Sequence, residues 1–340
     1  MKAVRIHEFG GPEILRYEDT PDPELRKDQV LVRVRACALN HLDLWVRKGL
    51  PGVKLPHILG SDIAGEIAAV GEYVSGFHVG QRVLVAPMRF CNRCPKCTAG
   101  LQNQCREFTV LGNLVDGGNC EYMALPAVNI IPLPEGLAFA EAASVPLVFL
   151  TAWHMLVGRA AVRPGQRVLV LGANSGVGIA GIQIAKFFQC TVIATAGDQA
   201  KMAKAQALGA DHVINHYRQK ISEEVRRITG GEQVDIVMEH VGQATWDESL
   251  RSLRPAGTLV TCGATTGPQV KVDLRFIYSR QLSILGSYMG TMGELHEVLA
   301  HVFVGRLKPV IDQTFALSEA REAHAYMEQS KMFGKIVLTM

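Results

Sequence analysis

Residues 167–186 read Arg-Val-Leu-Val-Leu-Gly-Ala-Asn-Ser-Gly-Val-Gly-Ile-Ala-Gly-Ile-Gln-Ile-Ala-Lys, and this stretch decides the fold. Val168 to Leu171 is apolar without alternation, which is the pattern of a strand covered on both faces. Ile179, Ile182, Gln183, Ile184 and Phe187 then recur as on a packed helix. Between them Gly172 to Gly178 must turn tightly. Gly176 and Gly178 let the backbone approach a ligand. The helix that starts there aims unpaired N–H groups and its positive dipole end at a bound anion, normally a pyrophosphate. Glycines before a helix also occur where they serve only close packing, so the order of the following segments carries the argument. Strand-like runs at Thr191 to Thr195, His212 to Ile214, Val234 to Met238 and Thr258 to Cys262 alternate with helical segments at the spacing of βαβ units. The fold class expected is α/β, with a doubly wound parallel sheet opening at residue 167.

Working outward, 340 residues suffice for two domains, and 48% hydrophobic with 20% charged content is that of a globular protein. A net charge of +3 is too small to indicate a nucleic-acid partner. Met1 to Ile6 reads as a strand rather than a secretory leader, and no apolar run has membrane-spanning length. The expectation is a cytoplasmic protein with a small-molecule substrate, no nucleic acid and no membrane. Eight cysteines there suit metal ligation or burial better than disulfides.

The first ~130 residues differ in texture from the middle: short strands (Val30 to Arg35, Ile63 to Val70, Arg82 to Ala86) punctuated by Gly and Pro. Within them Ala36 to Lys48 passes from strand to helix, with Asn40, His41 and Asp43 at the turn, which reads equally as a helix cap or a site. Cys91, Cys94, Cys97 and Cys105 form two C-x-x-C spacings closed by a fourth cysteine. Four thiolates complete a tetrahedron and leave no position for substrate, so the expectation is one structural zinc per chain in a lobe spanning about 88–112. After the second expected strand comes Ala196 to Lys201. No carboxylate stands at the strand end to repel a 2′-phosphate and Lys201 follows one turn on, which favours NADPH over NADH, with Asp198 as the opposing feature.

This order of features resembles the medium-chain dehydrogenase/reductase superfamily over essentially the whole chain. The resemblance is carried by Gly60-Ser61-Asp62-Ile63-Ala64-Gly65, Pro146 to Trp153, Leu208-Gly209-Ala210-Asp211, Arg254-Pro255-Ala256-Gly257, Gln281 to Gly286 and Phe333 to Leu338. It implies a GroES-like catalytic domain (1–146), a Rossmann domain (147–286) and a segment (287–340) returning to complete the catalytic domain. It also implies a homodimer, with Leu282 to Ser287 as a joining edge.

The zinc alcohol dehydrogenases of that superfamily place a cysteine, a histidine and a second cysteine on a catalytic metal. The matching positions here are Asn40, Ser61 and Leu147, and Leu42 replaces the relay hydroxyl. An amide, a hydroxyl and an isobutyl group do not make a zinc site. Asn40 is similar to the asparagine of the quinone oxidoreductase branch, which works without catalytic zinc. The resemblance therefore implies an NADPH-dependent reductase of quinones or other α,β-unsaturated carbonyl compounds, with Asn40 and secondarily His41 as donors to the substrate oxygen. For the cofactor it implies Thr151 beside the nicotinamide, Ala173, Ser175, Gly176, Val177 and Gly178 in the glycine turn, Lys201, His216 and Tyr217 at the adenosine ribose phosphate, and Lys335 near the pyrophosphate. The alternatives are an alcohol dehydrogenase with a metal site rebuilt from His41, Asp43, His57 or Asp62, and a catalytically idle NADPH-binding protein.

Overall fold

The computed structural model describes all residues, Met1–Met340, as two compact units: Met1–Leu147 with Pro309–Met340, and Val148–Lys308. In the second unit six strands form an entirely parallel sheet. Their order across it is His212–Asn215, Thr191–Ala196, Arg167–Val170, Val234–Glu239, Leu253–Thr261 and Ser283–Gly286. Val168, Leu169 and Val170 have no exposed surface, as the unbroken apolar run requires of a central strand. The order reverses between Thr191–Ala196 and Val234–Glu239, on either side of the strand that leads into the glycine turn. Such a reversal is where doubly wound sheets bind dinucleotides.

The first unit is β-rich. Its main sheet runs Ile130–Pro132, Arg82–Val85, Asp62–Val70, Gln29–Ala38, Lys335–Thr339, Ile311–Ala316, and Tyr122–Pro126 adds to the Gln29–Ala38 strand. A core of Val30, Val32, Val34, Ile63, Ile67, Val83 and Val85 fills one face. The register Val337↔Ala38 sets the strand of the returning chain directly beside the one that ends before Asn40.

The return occurs later than expected. Residues 287–308 stay with the second unit, because the helix Met292–Phe303 packs there through fully buried Leu295 and Val298 and through Glu294, which takes the His154 ring nitrogen at 2.8 Å. The chain rejoins the first unit only at Pro309.

Candidate active site

The helix His41–Gly49 begins at Asn40, whose extended backbone makes it the N-cap residue. Asp43, three residues on, accepts the Asn40 N–H at 2.7 Å and the Gly60 N–H at 2.9 Å. Asp43 is fully buried, and that burial pushes its carboxyl up to about 6 against the pull of both N–H groups and of Lys335. Capping by Asp43 leaves the Asn40 side chain to other partners. Its Nδ2 donates to Asp62 Oδ2 at 2.9 Å and its Oδ1 accepts from Lys335 Nζ at 2.7 Å. Lys335 Nζ also meets Asp62 Oδ2 at 2.9 Å, and Asp62 Oδ1 takes the Leu147 N–H at 2.8 Å. Asn40, Asp62 and Lys335 are respectively 5%, 0% and 4% exposed. The fold thus gathers two of the three positions matched to zinc ligands, Asn40 and Leu147, around one carboxylate. Ser61 turns away and donates to the Leu111 carbonyl at 2.7 Å.

The Lys335 ammonium sits in a buried ion pair with Asp62, because the strand Lys335–Thr339 lies against the one leading to Asn40 and a buried carboxylate needs a counter-charge. His41 lies one residue into the helix, its ring edge-on to Trp45 with centroids 5.7 Å apart.

In the second unit the glycine turn is built from close contacts. Gly172 has φ +58°, and a Cβ on Gly178 would stand 2.2 Å from the Gly172 carbonyl, so the turn closes only with glycine there. Ser175 is the N-cap of the helix Gly176–Phe187: its oxygen accepts from Gly178 N and its hydrogen goes to the Gly172 carbonyl, both at 2.9 Å. The Ser175 hydroxyl is thus engaged within the turn. Ala173 N–H bonds Thr195 O. The N–H groups of Gly176 and Val177, in the first helical turn, have no carbonyl of their own helix to bond and fit an anion.

Around Gly197 a second subsite forms. A Cβ there would meet the Tyr217 ring at 2.6 Å and lie 3.6 Å from His216 Nε2. The His216 Nδ1 is buried and unpartnered, while Lys201 lies 3.6 Å from Asp198, whose Oδ1 caps the next helix. Burial and the nearby Lys201 charge lower the basicity of His216. Thr151, 5% exposed, directs its hydroxyl toward Met289 Sδ at 3.9 Å. His240 was not foreseen. It ends the strand Val234–Glu239, donates from Nε2 to the Leu171 carbonyl at 2.8 Å and props the glycine turn from below. The polar pair Glu239-His240 closing an apolar run at the carboxyl end of a parallel strand was the signal available for it.

The sulfurs of Cys91, Cys94, Cys97 and Cys105 lie within 4.8 Å of one another, the only such convergence of three or more His, Cys, Asp or Glu donors in the chain. Cys91 to Cys105 is 3.6 Å and Cys91 to Cys97 3.9 Å, close to the edge of about 3.8 Å for four sulfurs each about 2.3 Å from a zinc. Backbone N–H groups of Cys94 and Glu107 approach Cys91 and Cys105 sulfurs at 3.4 Å, as suits thiolates. The donor set fits structural zinc.

Comparison with known proteins agrees with this architecture. Residues 26–135 match the alcohol dehydrogenase GroES-like domain and residues 176–303 the zinc-binding dehydrogenase family. The chain is 33% identical to a quinone oxidoreductase of Pseudomonas aeruginosa and 32% identical to an acryloyl-coenzyme A reductase of Sulfurisphaera tokodaii, each match covering 99% of both chains. Among solved structures, an NAD-dependent alcohol dehydrogenase is 44% identical and superposes with a TM-score of 0.97 over 100% of both chains. With its GroES-like domain, its parallel Rossmann sheet and these oxidoreductase relatives, the chain belongs to the medium-chain dehydrogenase/reductase superfamily.

Proposed function

We propose that this oxidoreductase reduces quinones or other α,β-unsaturated carbonyl compounds with NADPH and without a catalytic zinc. One observation carries the reading: where a catalytic metal would need donors, the chain offers a carboxamide bonded to Asp62 and Lys335, a Ser61 hydroxyl turned to Leu111, and a leucine. Oxidation of an alcohol requires loss of a high-pKa proton, for which zinc and a relay hydroxyl serve. Conjugate reduction needs only donors for the oxygen that becomes negative. The names of the quinone oxidoreductase and acryloyl-coenzyme A reductase relatives favour the same reaction class.

The cofactor, when bound, supplies hydride. Gly176 and Val177 would hold its pyrophosphate, Ala173, Ser175 and Gly178 the shape of the turn, Lys201, His216 and Tyr217 its adenosine ribose phosphate, and Thr151 its nicotinamide. Asn40, with Lys335 bonded to it and His41 beside it, forms the polar wall for the substrate oxygen. Cys91, Cys94, Cys97 and Cys105 hold one structural zinc. The protein acts in the cytoplasm on small molecules, as a homodimer, with no nucleic-acid or membrane partner; no helix is long and apolar enough to cross a membrane.

The alcohol dehydrogenase reading keeps the support of the 44% identical structure named for NAD and alcohol. The two separate in one experiment: oxidation of NADPH and NADH against a quinone and enone panel, beside reduction of NADP and NAD with primary alcohols, on protein whose zinc content is measured. Enone- or quinone-dependent NADPH oxidation with one zinc per chain is expected. Efficient alcohol oxidation, or two zincs per chain, overturns the reading.

A further inference from the structure

The peptide joining Leu171 to Gly172 opens the glycine turn, and a side chain holds it at each end. Its N–H donates to Thr195 Oγ1 at 3.0 Å, and its carbonyl accepts from His240 Nε2 at 2.8 Å. Thr195 belongs to the strand Thr191–Ala196 and His240 directly follows Val234–Glu239, the two neighbours of Arg167–Val170 in the sheet. The clamp therefore comes from both strands that flank the point where the strand order reverses. Both holders are themselves fixed. Thr195 is 2% exposed, and its carbonyl takes the Ala173 N–H at 2.9 Å. The His240 carbonyl accepts the Thr265 hydroxyl at 3.1 Å. Just before it the fully buried Glu239 carboxylate gathers the Val241 and Gly242 N–H groups and the Thr245 and Ser249 hydroxyls.

That one peptide decides the shape of the turn. Turning it over would change ψ of Leu171 and φ of Gly172 together, and glycine accepts φ of either sign, so Gly172 by itself does not select the observed +58°. The His240 ring also lies against the turn, since a Cβ on Gly172 would stand 3.0 Å from its Cε1. Beyond the peptide, the Gly172 carbonyl accepts both the N–H and the hydroxyl of Ser175 at 2.9 Å, and Ser175 Oγ accepts the Gly178 N–H. The orientation of the peptide is thus handed on to the start of the helix Gly176–Phe187. We propose that Thr195 and His240 are positioning residues for the dinucleotide pyrophosphate: together they lock the Leu171–Gly172 peptide in the orientation that presents the Gly176 and Val177 N–H groups to it. The inference rests on the dinucleotide reading above and names what holds its turn. In this role neither side chain has to touch the cofactor. A turn locked before binding spares the cofactor the cost of ordering it, so the clamp acts on affinity for whatever carries the pyrophosphate.

The test is calorimetric titration of the zinc-loaded full chain with NADPH, with ADP-ribose, which keeps the pyrophosphate, and with adenosine 2′-monophosphate, which lacks it. His240→Leu and Thr195→Val each remove one hydrogen-bonding group at similar volume, and His240→Gln keeps an N–H at similar reach. In the Leu and Val variants NADPH and ADP-ribose are expected to bind about tenfold more weakly, while adenosine 2′-monophosphate stays within about twofold of wild type. His240→Gln should hold ADP-ribose within about threefold of wild type, a rescue that a merely space-filling histidine does not give. Because both side chains act on one peptide, the double variant should lose less than the product of the single losses. A variant whose far-UV circular dichroism departs from wild type is replaced by His240→Met or Thr195→Ala. Wild-type affinity of the donorless His240 variant for ADP-ribose overturns the clamp. So does equal weakening of adenosine 2′-monophosphate and ADP-ribose, or a double variant whose loss is the full product. If the wild type binds neither NADPH nor ADP-ribose, the dinucleotide reading fails and the clamp with it; if the wild type binds them and every variant matches it, the clamp fails alone.

Discussion

At the scale of single residues, the subsite proposed for the cofactor around Gly197 is where the chain balances opposite charges. Asp198 is held below the usual carboxylate range, first by the Lys201 backbone N–H it caps and also by the Lys201 ammonium. It stays ionised and close to where a ribose phosphate would lie, yet its bonds are turned into the helix it caps. Lys201, its side chain 16% exposed, and the unpartnered His216 Nδ1 remain the features suited to a 2′-phosphate. Lys201→Ala is therefore expected to weaken NADPH by ~1–2 kcal/mol, about five- to thirtyfold, and leave NADH unchanged, read by fluorescence titration. Equal losses for both cofactors would assign Lys201 to the fold alone. The residues of this subsite were legible because they follow the ends of two neighbouring strands, Thr191–Ala196 and His212–Asn215. The partners of Lys335 were not, since Asn40 lies 295 residues away and only the register Val337↔Ala38 joins them. Ser175 was legible as part of the turn, but whether its hydroxyl faced a ligand or capped the helix depended on the Gly178 N–H that the turn delivers to it.

Among elements, the helices His41–Gly49 and Ala320–Glu328 are joined by a fully buried Arg47. Its Nε donates to the Gly10 carbonyl, Nη2 to Glu328 and Nη1 to His324 Nδ1 at 3.3 Å. Accepting from a guanidinium requires a neutral imidazole protonated on Nε2. Burial, reinforced by the Arg47 charge, lowers His324 to about 3. The unfolded chain protonates this histidine near 6.5, so between about 6.5 and 3 the unfolded state binds more protons and stability falls as pH falls, by up to ~1.4 kcal/mol per pH unit from this residue. Asp43 acts in the opposite sense: raised to about 6 from 3.8, it is protonated earlier in the folded state and gains stability on acidification across that window. The difference between wild type and His324→Gln, which keeps an acceptor for Arg47 but cannot titrate, isolates the histidine. Urea unfolding from pH 7 to 4 should give the variant a shallower loss of stability, and parallel curves would show that His324 titrates alike in both states. The helix starting after Asn40 was legible from its polar triplet. The clamp was not, because Arg47 and His324 sit on apolar helix faces where charge patterns suggest solvent.

For the whole molecule, the alternation of strands and helices announced the parallel sheet, and the change of texture near residue 130 announced a separate β-rich unit. The return point was misplaced by about a turn of chain and a helix, since the amphipathic pattern of Met292–Phe303 says that one face is buried but not against which unit. The sheet also carries a consequence for assembly. Ser283–Gly286 pairs on one side only, with Leu253–Thr261, so its other side offers unpaired backbone groups, and Ile284 and Tyr288 are 37% and 54% exposed beside it. Arg159 Nε takes the Gly286 carbonyl at 2.9 Å and ends the edge there. A short edge flanked by apolar side chains is a template for a second copy, and two-fold antiparallel pairing of Ser283–Leu285 would join two sheets and leave neither edge open. Such an axis sets Ile284 close to its own copy. Ile284→Lys would then bring two ammonium groups together at the centre of the contact, where like charges directly opposite destabilise pairing. Sedimentation at micromolar concentration should show a wild-type dimer shifted toward monomer in the variant, while a monomeric wild type, or a variant that stays dimeric, places the interface elsewhere.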